Sequence, residues 1–443
     1  MTEVETGPYP YAGIPWFSAP FGRDAVVTAL QVLWVDPSVA RGVLAYLSSL
    51  QAAERSDFHD SEPGKIVHEI RKGEMAALRE VPFGRYYGGV DTTPLFVMLA
   101  GAYLKRTNDI AFAKLIWPAV LAALDWMAHF GDLDGDGFIE YRRGAEGGLT
   151  NQGWKDSKDS VFHADGQLAQ GAIAMVEVQA YAIAAKRAAA RIASAISEMA
   201  LAELFEQQAN ELQAHVEKRF WCEPIGTYAL ALDGAKQPCR VRTSNAGHVL
   251  FCGVASEERA ARVARGLMAP ELFSGWGVRT VAVGESRYNP MSYHNGTVWP
   301  HDCSIVAAGL ARYGMKDSAG RILTGLFDAV SRLPEFRMPE LFCGFPRRAG
   351  EVPVSFPSAC TPQAWASGAV FLMLQACLGI EIDAAAKLVQ VRSPHLPKWL
   401  DHVFVRDLRV GYGHASLDFQ RTGDGVGVSM SDVKGGVRLA LVA

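Results

Sequence analysis

The feature that most constrains the fold is the regular alternation of helix-period segments with long polar connections. Apolar residues recur at three- and four-residue spacing, which is typical of helices that bury one face. The predicted helices cover residues 23–34, 37–53, 92–106, 110–130, 165–188, 198–219, 245–252, 256–268, 296–313, 317–331 and 362–378. The connections run to about 15 to 40 residues, which is long for a compact domain and indicates loops that carry function. We therefore predict a mainly α protein.

Some of these helices are apolar around most of their circumference. The segment IAMVEVQAYAIAAKRAAARIA at 173–193 would be buried on two sides, as the inner ring of a helical barrel requires. Eleven predicted helices are close to the twelve that six inner and outer pairs would need. From about Leu388 the pattern changes to short alternating runs with Gly and Asp turns, such as VQVRSP and ASLDFQRT. We predict a helical barrel in residues 1–385 and a small β-rich appendage in residues 386–443.

The composition excludes several classes of protein. Hydrophobic residues make up 49% of the chain, so a large core can be buried. The 43 basic and 47 acidic residues are mixed along the chain and give a net charge of −4, which argues against nucleic acid as a partner. The apolar stretches at 168–190 and 305–310 are interrupted before the roughly 20 residues that a bilayer span needs. We predict no membrane segment.

The N-terminus and the cysteines indicate a reducing compartment. MTEVETGPYPYAGIPWF has neither a basic start nor an apolar run of signal-peptide length, which predicts a cytoplasmic protein. The seven cysteines are widely spaced and include no CxxC pair. This pattern fits buried thiols better than a disulfide framework or a zinc site.

Six loop segments concentrate aromatic and polar residues. They are IPWFSAPFGRD at 14–24, GKIVHEIRKGEM at 64–75, FGRYYGGVDTTP at 83–94, NQGWKDSKDS at 151–160, RYNPMSYHNGTVWPHD at 287–302 and RMPELFCGFPR at 337–347. Each lies beside a predicted helix, so a closed helical barrel can bring them together at one end. Aromatic faces stack on sugar rings while carboxylates, Arg and His bind hydroxyls, so this mixture suits a sugar site. The alternative is that Trp and Tyr only anchor the loops on the core.

Two carboxyl groups in these loops are candidates for acid and base. Glycoside hydrolysis needs one protonated and one ionised carboxyl group. Asp156 follows Trp154, whose indole can desolvate it and favour the protonated form, although the neighbouring Lys155 would oppose this. Glu340 in MPELF has apolar neighbours and suits a base. Each carboxylate has an alternative interpretation: a helix cap for Asp156 and a solvated loop charge for Glu340.

The motifs, taken in order, resemble a known family. GIPWFSAPFGRDAVVTAL, NQGWKDSKDS, SYHNGTVWPHD, RMPELFCGF and ACTPQAWASGA are similar to the successive signatures of bacterial amylo-α-1,6-glucosidases and glycogen-debranching enzymes. Those proteins are related to glucoamylase- and trehalase-type (α/α)6 glycoside hydrolases. The resemblance runs from about residue 11 to residue 378, which is most of the chain.

The resemblance implies an (α/α)6 barrel and an inverting hydrolase that acts on an α-glucan or a small α-glucoside. It assigns Asp156 as the general acid and Glu340 as the general base, and it places Arg23 and Asp24 near the glucose subsite. The expected substrate-binding residues are Trp16, Arg23, Asp24, Asp91, Trp154, Lys155, His294, Asn295 and Trp299. Relatives of this kind usually carry an N-terminal β-rich domain, which we expect to be absent from this chain.

One segment has the opening of a calcium loop. GDLDGDGFIEY supplies Asp132, Asp134 and Asp136 at the spacing of an EF-hand. The twelfth position is Arg143, where a bidentate Glu would be expected. We predict no cofactor and no metal, with calcium at the three aspartates as the alternative to a simple Asp/Gly turn.

Two functions from other classes compete with a hydrolase. A sugar isomerase or epimerase on the same fold would use histidines as acid and base, and His68, His248, His294 and His301 are candidates. Such an enzyme does not need the Asp156 and Glu340 motifs. A non-catalytic glycan-binding protein would keep the aromatic residues without the acid, and Asp156 argues against it.

Overall fold

The chain folds mostly into helices, and a computed structural model describes residues 1–142, 144–423 and 425–442. The longer helices are α1 (Gly22–Val32), α2 (Pro37–Ser49), α4 (Thr92–Thr107), α5 (Ile110–His129), α6 (Val176–Ala195), α7 (Met199–Arg219), α8 (Asn245–Phe251), α9 (Glu257–Leu267), α10 (Pro300–Arg312), α11 (Lys316–Val330) and α12 (Ala364–Leu378), with a single turn, α3 (Glu74–Ala77), between α2 and α4. The strands are β1 (Thr2–Val4), β2 (Gly7–Tyr9), β3 (Ala174–Met175), β4 (Trp221–Cys222), β5 (Thr227–Tyr228), β6 (Ala231–Leu232), β7 (Ile380–Asp383), β8 (Leu388–Arg392), β9 (His402–Val410), β10 (Gly413–Thr422), β11 (Gly425–Lys434) and β12 (Arg438–Val442). The prediction of a mainly α protein is confirmed.

Local sequence signals account for several helix ends. The Asp36 side chain accepts a hydrogen bond from the Ser38 backbone N–H at the start of α2, and Asp109 accepts one from Phe112 at the start of α5. Such N-caps satisfy N–H groups that have no partner within the helix. Gly379, with φ of 71°, ends α12 in the left-handed conformation that glycine adopts without steric cost.

Two helices begin later than predicted. The helix predicted at 165–188 corresponds to α6, which begins only at Val176. The residues directly before it form β3, which pairs with β6 in an antiparallel bridge. The helix predicted at 296–313 is α10, which begins at Pro300, while Val298 exchanges backbone hydrogen bonds with Phe342. In both cases a distant segment uses the backbone groups, and helix periodicity contains no information about such pairing.

Six helices contact one another in cyclic order. α1 packs on α4, α4 on α6, α6 on α8, α8 on α10, α10 on α12, and α12 on α1. The helices α2, α5, α7, α9 and α11 each pack on the helix that precedes them in the chain. Burial separates the two sets: eleven of the 13 residues of α10 are buried, whereas five of the 21 residues of α7 are. We call the first six the inner helices and their cyclic arrangement the ring.

Among the described residues, α5 is the one helix long and apolar enough to cross a membrane. It contains 20 residues, has a mean hydropathy of 1.5 and is 50% buried within the protein. It packs against α4, α6 and α2. A core helix passes the same test of length and hydropathy, so α5 alone does not indicate a membrane span.

The C-terminal residues form two small sheets. β8 pairs antiparallel with β7 and parallel with β12, while β10 lies between β9 and β11 in an antiparallel sheet. Leu417 and Phe419 of β10 are buried in a second apolar cluster that also includes Trp34, at the end of α1. This cluster connects the strands to the ring.

Candidate active site

The N-terminal ends of the inner helices meet at one end of the ring. Arg23 on α1 pairs with Asp91, the residue before α4, through Nη1 and Oδ2 at 3.2 Å. Gln363, the residue before α12, donates from Nε2 to Oδ1 of Asp24 on α1 at 3.2 Å. Helix N-termini carry partial positive charge and favour carboxylates nearby. We call this the N-terminal end of the ring.

Asp156 lies at this end, on the connection between α5 and α6. Its Oδ2 accepts a hydrogen bond from Nη2 of Arg23 at 3.3 Å, and its Oδ1 lies 4.0 Å from Nδ1 of His294. The Asp156 side chain is 29% exposed, so part of it can be reached from solvent. Burial raises the pKa of Asp156 from 3.8 to about 6, against the lowering effect of Arg23. A carboxyl group of this kind holds its proton up to about pH 6 and can still reach a ligand.

Glu340 reaches the same end from the connection between α11 and α12. The Tyr293 hydroxyl donates to Oε1, and the Cys360 backbone N–H donates to Oε2 at 2.9 Å. The residue is 2% exposed, so its orientation is set by these two donors. Burial raises the pKa of Glu340, the two hydrogen bonds lower it, and the charge of Asp156 raises it further. The two predicted catalytic carboxyl groups are therefore close enough to interact.

Arg23 and Asp24, in the first turn of α1, are buried at the same end of the ring. The Arg23 side chain is 5% exposed and lies between the carboxylates of Asp91 and Asp156. Burial raises the pKa of Asp24 to about 7, and Arg23 partly opposes this. The ion pair of Arg23 is not closed off in the core, because one of its two partners is the partly exposed Asp156.

The predicted tryptophans occupy contrasting positions. Trp154 and Trp299 are 3% and 1% exposed, and their rings meet edge to face with centroids 5.8 Å apart. Trp299 also stacks on His294, with centroids 5.0 Å apart. Trp16 is 61% exposed. Of the three, only Trp16 presents much of its ring to solvent, while the other two are buried against each other and against His294.

Lys155 and Asn295 lie in the interior and hold the loops together. Lys155 Nζ donates at 2.6 Å both to Oδ1 of Asn245 and to the Thr280 carbonyl oxygen. Asn295 Nδ2 donates to Oδ2 of Asp159 at 3.1 Å. Lys155 therefore does not form an ion pair with its neighbour Asp156, and the sequence-based concern that it would keep that carboxyl group ionised does not apply. Burial lowers the pKa of Lys155 to about 8.

The four histidines that an isomerase would use are all 1% exposed. Burial lowers the pKa values of His68, His294 and His301 well below the usual range, so these imidazoles are neutral. His248 lies between the Tyr181 hydroxyl and Oδ1 of Asp302, at 2.5 and 2.7 Å. None of these four histidines is therefore exposed as the acid or base of the isomerase alternative would need to be.

Two contributors were missing from the predicted site residues. Tyr293 orients Glu340, and Gln363 holds Asp24. Both lie in segments that the sequence analysis singled out, SYHNGTVWPHD and ACTPQAWASGA. The segments were therefore recognisable, but the pairing of each side chain with a distant carboxylate was not.

The calcium-like loop contains a lysine. Asp132, Asp134 and Asp136 bring carboxylate oxygens within 4.8 Å of one another. Lys236 Nζ lies 3.0 Å from Asp134 Oδ2 and 2.8 Å from Asp136 Oδ2, and it also contacts Glu140. The positive charge that faces these carboxylates is thus an ammonium group of the chain itself. Arg143, the twelfth position of the loop, lies outside the described residues.

Comparison with solved structures places this fold among glycosidases. A GH78 family rhamnosidase from Bacillus sp. GL1 superposes with a TM-score of 0.65 at 15% identity, over 96% of this chain and 39% of that one. A GH63 mannosylglycerate hydrolase from Thermus thermophilus in complex with Tris superposes with a TM-score of 0.61 at 16% identity, over 84% of this chain and 96% of that one. The same hydrolase in complex with glucose superposes with a TM-score of 0.59 at 16% identity, over 83% of this chain and 95% of that one. At these identities the likeness concerns the fold.

Comparison at the level of sequence families identifies the chain more closely. No match was found among curated proteins. The mannosylglycerate hydrolase MGH1-like glycoside hydrolase domain matches residues 20–337, which is more than half of the chain. The predicted glycoside hydrolase family is confirmed at this level, whereas the match does not single out amylo-α-1,6-glucosidases. The chain belongs to the family of mannosylglycerate hydrolase MGH1-like glycoside hydrolases.

Proposed function

We propose that this protein hydrolyses an α-glycosidic bond with inversion, using Asp156 as general acid and Glu340 as general base. The observation that carries the proposal is the contrast between the two carboxyl groups. Asp156 is partly exposed with a pKa of about 6, while Glu340 is held by two donors and senses the charge of Asp156. Inverting glycosidases need one protonated and one ionised carboxyl group on opposite faces of the sugar. Asp156 lies within the family match and Glu340 lies just beyond it.

The neighbouring residues give each carboxyl group a suitable environment. Asp156 transfers its proton to the glycosidic oxygen, and the carboxylate that remains is stabilised by the guanidinium of Arg23. Glu340 accepts a proton from the water that attacks the anomeric carbon. Each Glu340 oxygen accepts one hydrogen bond from the protein and keeps a lone pair for that water. Arg23, Asp24 and Asp91 form the floor of the sugar site in this proposal.

The proposed roles of the remaining residues differ with exposure. Trp16 is the exposed aromatic residue and suits the part of the substrate beyond the scissile bond. Trp154, Lys155, His294, Asn295 and Trp299 form the layer that holds the Asp156 loop. His294 acts through Ser157, whose hydroxyl lies 2.7 Å from Nδ1 of His294. In this scheme the five buried residues position the acid.

The architecture belongs to the same proposal. The cyclic order of the inner helices and their outer partners supports an (α/α)6 barrel with a C-terminal β unit. We divide the chain into residues 1–385 and 386–443, although β7 precedes that boundary and pairs with β8 across it. Among the described residues no helix follows α12 in the chain to pack on it; α12 contacts α11, the outer partner of α10, and β7 follows it directly.

The proposed substrate is a terminal α-glucoside, either an α-glucan branch as for amylo-α-1,6-glucosidases or a small α-glucoside. The sequence motifs support the glucosyl unit. A second candidate is an α-mannoside with a small acidic aglycone, because the family name and the Thermus thermophilus neighbour both refer to mannosylglycerate.

The experiment incubates the full chain with isomaltose, a limit dextrin, glucosylglycerate and mannosylglycerate, and follows the released sugar by proton NMR. Release of the β-anomer from any of the α-glycosides is the expected result. Initial release of the α-anomer would contradict inversion. No release from any substrate under conditions where a related hydrolase is active would overturn the proposed activity.

A further inference from the structure

A cavity of about 530 Å³ opens at the opposite end of the ring, where the inner helices end. Trp34 follows α1 and Phe251 ends α8, and both contribute apolar wall. Ile380 of β7 and Arg392 of β8 contribute wall from the C-terminal strands. We call this the C-terminal end of the ring. A volume of this order suits a small molecule.

The lining of this cavity is strongly basic. Six lining residues are cationic and one is acidic. The cations are Lys105, Arg106, Arg191, Arg312, Lys316 and Arg392, and the acid is Glu381.

Three of the cations have partners within the protein. Arg106 Nη2 donates to the carbonyl oxygen of Trp34 at 2.9 Å, and Lys316 Nζ donates to a carbonyl oxygen of α12 at 2.5 Å. Lys105 pairs with Glu381 at 3.3 Å. Helix C-termini carry partial negative charge and favour cations, so these contacts are explained by the fold itself.

The other three cationic side chains have no such partner in the described part of the protein. Arg191, Arg312 and Arg392 are exposed, and within residues 1–142, 144–423 and 425–442 their side chains have no hydrogen-bond or ion-pair partner. Partial burial of the Arg191 guanidinium lowers its pKa, the charge of Arg312 lowers it further, and Glu206 opposes this. Burial likewise lowers the pKa of Lys316, Cys377 and Glu381 oppose this, and the charge of Arg392 adds to the lowering. Six cationic side chains therefore gather around one cavity whose lining has a single acidic residue, Glu381.

We propose that this cavity binds a small molecule that carries two or more adjacent oxyanion groups, of the phosphate or carboxylate class. Guanidinium groups donate in a planar fork that matches phosphate and carboxylate oxygens. Trp34 and Phe251 offer apolar surface to the rest of such a ligand. The site lies at the end of the ring away from Asp156 and does not depend on the proposed hydrolysis.

The test measures binding of pyrophosphate and of citrate to the full chain by isothermal titration calorimetry. Ionic strength is kept constant with sodium chloride, so that general screening does not contribute. We expect saturable binding of at least one anion. The two probes separate a phosphate ligand from a polycarboxylate, since the natural ligand class is the one that binds more tightly.

The double variant Arg191→Gln/Arg312→Gln is expected to weaken that binding at least tenfold. Arg219→Gln is the matched control, because Arg219 is an exposed arginine in the last turn of α7, away from the cavity. Binding to the control should equal that of the wild type. Without anion, the double variant should be as thermally stable as the wild type or more stable, because two mutually repelling charges have been removed.

Two outcomes would overturn the proposal. One is the absence of saturable binding of either anion to the wild type. The other is binding that the double variant retains at full strength. If the double variant fails to fold, Arg392→Gln on β8 replaces it, with the same expected loss of affinity.

Discussion

The two ends of the helical ring differ in charge. At the N-terminal end, Asp24 lies in the first turn of α1 and Asp91 precedes α4. At the C-terminal end, Arg106 lies in the last turn of α4 and Arg312 in that of α10. Because the inner helices begin at one end and finish at the other, their dipoles add, and each end favours side chains of the opposite sign.

The difference shows that helix dipoles explain how charged residues are distributed between the two ends, but not the pKa values of the buried carboxyl groups. One helix N-terminus stabilises a carboxylate by about 0.3 to 1 kcal/mol. The pKa of Asp24 nevertheless rises from 3.8 to about 7, which corresponds to about 4 kcal/mol in the opposite direction. Burial therefore outweighs the dipole at the N-terminal end. At the C-terminal end the unpartnered arginines remain exposed.

The largest effects are expected from the two carboxyl groups that we propose as acid and base. Glu340→Gln should lower kcat by about 10³-fold for all glycosides, because the water must be activated for every leaving group. Asp156→Asn should lower kcat by a similar factor for a poor leaving group, but by far less for an activated aryl glycoside that needs no proton. Steady-state kinetics with both kinds of substrate measure the difference.

Matched carboxylates provide the controls for these variants. Asp159→Asn, three residues after Asp156, should leave kcat within about threefold of the wild type, well short of a general acid–base contribution. Glu335→Gln, an exposed residue near Glu340, should have no effect. Loss of activity on poor leaving groups in Asp159→Asn, with Asp156→Asn still active, would transfer the acid role to Asp159.

The pH dependence should show how burial and Arg23 act on Asp156. With a pKa of about 6, Asp156 loses its proton as pH rises, so kcat/KM should decline above about pH 6. Arg23→Gln removes the positive charge that lowers the pKa of Asp156, so this decline should move to higher pH. The pH profiles of the two proteins test the shift. An unchanged or lower midpoint in Arg23→Gln would mean that another group titrates.

A stability effect of intermediate size is expected for Lys236, whose ammonium contacts Asp134, Asp136 and the fully buried side chain of Glu140. Lys236→Met should lower the free energy of unfolding by about 3 kcal/mol, because it leaves a buried carboxylate without its partner. Chemical denaturation measures this loss. Calcium should stabilise the variant and leave the wild type unchanged. Stabilisation of the wild type by calcium, reversed by a chelator, would contradict the view that Lys236 fills the loop.

The smallest effect is expected at the C-terminal end. Lys105 and Glu381 form an ion pair whose side chains are 46% and 53% exposed. Exposed pairs contribute about 0 to 1 kcal/mol, so Lys105→Met should change the free energy of unfolding by less than about 1 kcal/mol. The same denaturation experiment compares it with Lys236→Met. A loss as large as that of Lys236→Met would remove the contrast between the two lysines.

Much of the fold could be predicted because its signals are local. The N-caps Asp36 and Asp109 and the C-cap Gly379 are read from neighbouring residues, and apolar periodicity identifies the helices between them. The starts of α6 and α10 could not be predicted, because β3 and Val298 pair with segments that are distant in the chain.

The sequence by itself determined which loops are candidates for the chemistry, since aromatic and charged residues cluster in motifs around Asp156 and Glu340. Only the tertiary structure decided what each residue does. It turned Lys155 away from Asp156 toward Asn245, and it brought Tyr293 to Glu340 and Lys236 to the acidic loop. The physical reason is that proton affinity and ion pairing depend on burial and on neighbours a few ångströms away, and those neighbours lie tens of residues apart in the chain.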